Sequence, residues 1–139
     1  MLCEIGNEKI ELENVELLSP STVIPSLDDP QINECLEEVR DDLHGKVLII
    51  VNDLFRSTPT AKILGMVGDK IKANKDVKFI VATGSHNPPT QDDLKKIFGS
   101  LYDEDRIVIH KSKESPMTDV GVSKAGTKIK VNSEIFKGY

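Results

Sequence analysis

The chain has 139 residues, 38% of them hydrophobic and 29% charged, with a net charge of -5. That balance describes one ordinary globular domain and excludes a disordered or membrane-embedded chain. The acidic balance, with no cluster of Lys and Arg, excludes duplex nucleic acid as a partner, because neutralising phosphates takes a basic patch; no stretch approaches the roughly 20 apolar residues of a membrane span.

Residues 2–13 alternate apolar and polar side chains around Gly6 and Asn7, which predicts a short edge hairpin. The first residues carry neither the positive charge nor the apolar run of a signal peptide, so a cytoplasmic protein is expected. Cys3 and Cys35 form no CxxC pair. They are expected to be buried, reduced thiols rather than metal ligands or a disulfide. Pro20, Pro25 and Pro30 then punctuate a connection that continuous helix cannot cross. From Gln31 the apolar positions Ile32, Cys35, Leu36, Val39 and Leu43 recur at helical spacing, and Gly45 marks the stop.

Residues 46–51 are short, apolar and rich in β-branched side chains, which predicts a strand buried on both faces. Thr58 is a natural N-cap and Pro59 a natural first residue for the next helix, whose buried stripe is Leu64, Val67 and Ile71. Gly65 and Gly68 weaken that helix by about 1 kcal/mol each. Close approach of helix to sheet is the expected reason for them. Residues 77–82 form a second buried strand, and Thr90 with Asp93 makes a capping box for a helix containing Leu94, Ile97, Phe98 and Leu101. Residues 106–109 read as a third strand, and residues 120–122 with 128–131 as a hairpin around Ala125 and Gly126. Strands alternating with helices predict an α/β fold: a Rossmann-like parallel sheet with helices on both faces and peripheral β-hairpins.

In such a sheet the carboxyl ends of the strands share one edge, and ligands bind outside it. Asp53 follows the first of these strands and could accept from substrate or ribose hydroxyls, or equally bond its own backbone in a turn. Arg56 offers a bidentate fork for a carboxylate or phosphate, although one arginine alone is more often a surface residue. His86 follows Gly84 beyond the second strand, where an imidazole can titrate near neutral pH or merely bond a loop. His110 is a secondary candidate on the same edge, and His44 serves a helix end without chemistry. Thr58 and Thr60 could offer donors to an anion. No glycine-rich phosphate cradle is present. Ser57 or Ser85 with His86 and Asp53 could spell a triad, but G-x-S-x-G is lacking, which argues against a hydrolase.

Taken together, D-x-x-R-x-T-P-T from Asp53 to Thr60, A-T-G-x-H from Ala82 to His86, and the later run from Gly121 to Thr127 before Val131 and Asn132 resemble the N-terminal domain of the nickel-dependent lactate racemase family. The resemblance runs in register from about Leu17 to the end. It implies an isomerase, a 2-hydroxyacid racemase or epimerase, that works through a 2-keto acid by hydride and proton transfer. Its implied cofactor is a nickel pincer mononucleotide, a pyridinium bisthiocarboxylate carrying nickel. Asp53, Leu54, Phe55 and Arg56 are then the cofactor-binding residues, Arg56 also binds the substrate carboxylate, and His86 is one of two catalytic histidines. No metal ligand is assigned to this chain. The remaining machinery is expected in a C-terminal domain of a longer two-domain parent, so residues 1–139 alone should bind no cofactor and racemise nothing. The competing expectation is a non-catalytic Rossmann-like module that binds a nucleotide or an organic acid.

Overall fold

A computed structural model of the chain describes residues 2–5, 8–11, 13 and 26–139. Strands β1 (Leu2–Ile5) and β2 (Glu8–Glu11) pair antiparallel as the alternation predicts. Their turn, the Cys3 side chain, and the connection through Pro20 and Pro25 lie outside the described residues. The centre of the fold is a parallel sheet of β3 (Val47–Asn52), β4 (Val77–Ala82) and β5 (Ile107–His110), in that order. Helices connect its strands, so the chain is an α/β domain with two antiparallel hairpins beside a three-stranded parallel sheet.

Helix α1 (Asp29–Asp42) begins two residues before Gln31 because Asp28 and Gln31 cap it reciprocally, each backbone N–H donating to the other's side chain at 2.9 Å. Pro30 sits in the first turn, where its missing N–H costs nothing. Leu43 is buried, Ile32 and Leu36 are half-buried, and Cys35 and Val39 are exposed. The expectation of a buried thiol therefore fails for Cys35. Its flank of the helix is not covered by the described residues, whereas Arg40 ties the neighbouring flank to α2 by donating to the Met66 carbonyl at 3.0 Å.

The single helix expected after Pro59 is divided into α2 (Thr60–Met66) and α3 (Gly68–Ala73), with Val67 off helical geometry at φ -109° and ψ 11°. Thr58 is not the N-cap. Pro59 holds that position, and the Thr58 hydroxyl instead accepts from Asn52 at the end of β3 at 2.5 Å. Close packing does not explain the glycines: a Cβ at Gly65 would meet nothing within 4 Å, and one at Gly68 only Leu101 Cδ2 at 3.9 Å. Two poor helix formers bracketing Val67 instead weaken the helix where it breaks. Helix α4 (Gln91–Phe98) starts as predicted, with Thr90 Oγ1 accepting from Asp93 N and Asp93 Oδ2 accepting from Thr90 N.

Residue 106 is not part of β5. It closes a 3-10 turn, Glu104–Arg106, from which its guanidinium donates to the carbonyls of Val77, Ile71 and Asn74 and lies 5.9 Å from the centre of the Phe79 ring. The register pairs Val47 with Val77, Ile49 with Phe79, and Val51 with Val81, so these side chains share a sheet face. With Leu64, Ile71, Leu94, Ile97 and Phe98 they form the core, where the rings of Phe79 and Phe98 meet edge-on at 4.9 Å. The other face differs along the sheet: Ile80 is buried, but Ile50 is 56% exposed. Burial of β3 on both faces is thus not found, because β3 is a border strand of the sheet. The C-terminal hairpin of β6 (Met117–Val122) and β7 (Lys128–Asn132) carries a bulge between Asp119 and Gly121. A 3-10 turn, Ser133–Phe136, follows and buries Glu134.

Candidate functional site

Asn52, Ala82 and His110 stand side by side at the ends of the three parallel strands, so the loops after them open on one edge. After β4, Gly84 adopts φ 58°, a left-handed conformation that side chains disfavour. That turn closes with His86 N donating to the Thr83 carbonyl at 3.0 Å, and it points the imidazole back at the end of β3. Thr83 is buried, and its hydroxyl donates to the His110 carbonyl, which ties the loop to β5.

Asp53 is only 6% exposed and uses both carboxylate oxygens. Oδ1 accepts from Phe55 N at 3.1 Å, and Oδ2 lies 2.6 Å from His86 Nδ1. The turn role and the site role, alternatives in the sequence, are thus combined in one side chain. A carboxylate can only accept from this ring nitrogen, so the proton belongs on Nδ1 and Nε2 is left to act. His86 is 39% exposed, and Phe55, itself 72% exposed, lays its ring against the imidazole at 4.1 Å between centres.

Arg56 lies on the same turn, with its N–H donating to the Asp53 carbonyl. Its guanidinium is exposed and has no hydrogen bond or ion pair with the described residues. The structure therefore joins Asp53 to His86 directly, while Arg56 shares only the turn of Asp53 and its side chain bonds neither. Leu54 is exposed and lines a cleft of about 410 Å3 together with Asp53, Phe55, Asn87, Pro88 and Thr90. His110 also lies on this edge, but its Nδ1 is held by Asn132 Nδ2 at 3.0 Å. His44, just beyond α1, bonds the Asp41 carbonyl, and among the described residues no serine hydroxyl bonds His86. Thr58 Oγ1 accepts from Asn52, which leaves its O–H proton able to donate.

The lactate racemase N-terminal domain model matches residues 6–138, nearly the whole chain. The chain belongs to the lactate racemase N-terminal domain family. It is 33% identical over 103 residues to the lactate racemase of Thermoanaerobacterium thermosaccharolyticum, covering 69% of this chain and 24% of that protein. To the lactate racemase of Lactiplantibacillus plantarum it is 29% identical over 116 residues, covering 80% and 27%. This lactate racemase N-terminal domain thus spans about a quarter of the length of the curated relatives it matches. Its fold resembles the lactate racemase apoprotein of T. thermosaccharolyticum with a TM-score of 0.62 at 28% identity, over 76% of this chain and 28% of that one. A protein of Thermotoga maritima gives 0.63 at 22% identity, over 81% and 32%, a likeness of fold alone.

In this domain, sequence reasoning from the residues missed the ring contact of Phe55 with His86, the buried Thr83 hydroxyl and the grip of Asn132 on His110. Only Thr83 left a signal, as a hydroxyl directly after an apolar strand. The other two depend on how distant segments meet.

Proposed function

We propose that the chain is the N-terminal domain of a longer, two-domain 2-hydroxyacid racemase or epimerase, supplying Asp53, Arg56 and His86 to a cleft completed by a C-terminal domain of the same parent. Lactate is the default substrate, from the names of the relatives. The observation that carries the reading is the 2.6 Å contact of His86 Nδ1 with Asp53 Oδ2 at the carboxyl edge of the sheet. A histidine held in this way keeps one tautomer, and its Nε2 can take a proton from a substrate hydroxyl. The carboxylate also stabilises the imidazolium while it holds that proton. The guanidinium of Arg56, unpartnered among the described residues, suits the substrate carboxylate.

The family's implied cofactor, a nickel pincer nucleotide, is compatible with the cleft. An exposed Phe55 ring and an exposed Leu54 beside about 410 Å3 of space suit a planar pyridinium, with Asp53 and Arg56 available to its polar groups. Among the described residues no three His, Cys, Asp or Glu side chains gather around a metal position, so nickel would be held by groups outside them. When bound, this group supplies the acceptor, and later the donor, for the hydride of the carbon bearing the hydroxyl. His86 would take the hydroxyl proton in the oxidation of the substrate to a 2-keto acid. Inversion of the centre would need reaction on the opposite face, and that face needs a second base, which the reading assigns to the C-terminal domain.

The test is interconversion of D- and L-lactate by the complete, cofactor-loaded protein that carries this domain. His86→Ala should lower kcat at least about 10²-fold. Unchanged turnover removes His86 as the base. If the loaded wild-type protein interconverts no 2-hydroxy acid, the non-catalytic binding module replaces the enzyme.

A further inference from the structure

Asp53 fixes one direction of the His86 imidazole, with Oδ2 at 2.6 Å from Nδ1. One hydrogen bond chooses the nitrogen that is held, but it leaves the ring able to swing, because the last torsion of a histidine side chain lies in a broad well. Aiming Nε2 at a reacting hydroxyl takes a second constraint. Phe55 supplies it. Its ring lies against the imidazole with 4.1 Å between centres and 32° between planes. The same residue donates its backbone N–H to Asp53 Oδ1 at 3.1 Å. Asp53, Phe55 and His86 thus close a triangle of contacts, in which Phe55 braces the carboxylate with its backbone and the imidazole with its side chain.

The phenyl ring is 72% exposed, so packing in the core does not account for it. The run D-x-x-R leaves this position open, and the ring therefore belongs to this chain rather than to the pattern that carries the resemblance. A flat side chain is what the contact requires. Tilted stacking covers a face of the imidazole without competing for either ring nitrogen, whereas an aliphatic side chain of similar size touches the ring without holding its plane. We propose that Phe55 is a positioning residue, which holds the plane of the His86 imidazole and so aims Nε2 at the substrate hydroxyl. The inference rests on the racemase reading for the hydroxyl that Nε2 meets, and on the contacts alone for the orientation of the ring.

Two measurements on the complete protein test this. Without cofactor or turnover, NMR relaxation of the His86 ring carbons should show an ordered imidazole in the wild-type protein and in Phe55→Tyr, which keeps the flat ring, and loss of that order in Phe55→Leu. His44 and His110, which meet no aromatic ring among the described residues, should not change. The proton should stay on Nδ1 in every variant, because Asp53 places it there. In the loaded enzyme, Phe55→Leu should lower kcat for lactate about tenfold per bound cofactor, since a misaimed base slows the chemical step. KM should stay within about twofold, and Phe55→Tyr should keep both values. An imidazole equally ordered in Phe55→Leu overturns the proposal whatever happens to turnover, and so does an unchanged kcat in a loaded enzyme that racemises lactate. Failure of the loaded wild-type protein to turn over any 2-hydroxy acid sinks the racemase reading instead, and the relaxation measurement then decides by itself whether Phe55 holds the ring.

Discussion

At the scale of single residues, the site depends on what Asp53 can accept. Asp53→Asn keeps the size of the side chain, but an amide that still accepts from Phe55 N presents an N–H to His86 Nδ1. The imidazole must then accept there and carry its proton on Nε2, the wrong tautomer for a base. Activity of the loaded parent should fall by about 10² or more, and NMR of the ring nitrogens should show the proton moved from Nδ1 to Nε2. Far from this edge, Glu134 is held below its ordinary value of 4.5, chiefly by Lys137 at 2.6 Å and also by the Tyr139 hydroxyl. A depressed carboxyl contributes stability above its unfolded pKa and loses it as pH falls through the folded value. Glu134→Gln should therefore flatten the loss of stability on acidification below about pH 4.5 in urea titrations at several pH values. Tyr139 is pushed up to about 12 by burial and by Glu134, so its contribution is complete below 10.0 and disappears as pH rises toward 12. Tyr139→Phe should remove that alkaline dependence and the late part of the tyrosinate absorbance rise.

At the scale of elements, capping succeeded as a guide where both partners are local and failed where a distant group competed. Thr90 and Asp93 are three residues apart and cap α4 in the predicted way. Thr90→Ala should cost about 1 kcal/mol by denaturant unfolding. It should also disturb the cleft, because Thr90 and Asp93 both line it. Thr58 obeyed the same local rule on paper, but Asn52 from β3 claimed its hydroxyl and the helix began at Thr60. Arg106 likewise left β5 for three carbonyls of the α3 and β4 region. Each boundary moved because a side chain gained a partner that periodicity cannot see.

At the scale of the whole molecule, the sheet and helices close on Phe79, which is fully buried against Phe98 at the centre of the core. Phe79→Ala should destabilise by about 3–5 kcal/mol, read from chemical denaturation, because the cavity cannot fill. This core also holds the site, since β4, whose end carries Thr83, runs through it and one face of β3, whose end carries Asp53, packs against it. A loosened core should lower activity through misplacement of His86 as well as through loss of folded protein. Among the described residues no helix is long and apolar enough to cross a membrane. Val39 of α1 and Ile50 of β3 are exposed apolar side chains on a domain about a quarter as long as its relatives.

Periodicity and turn chemistry were enough to read the α/β class, the three parallel strands, both hairpins and the cap of α4, because each is a pattern within a dozen residues. The run from Asp53 to Thr60 and that from Ala82 to His86 were also enough to suggest the family. What only the tertiary structure decided is who meets whom: that Asp53 grips His86 across 33 positions of sequence, that Arg56 stands unpartnered among the described residues, and that Cys35 and Ile50 face outward. The reason is physical. A side chain's local surroundings set its conformation, but its protonation, burial and reach depend on groups brought beside it by strands whose order is set by the packing of the entire sheet.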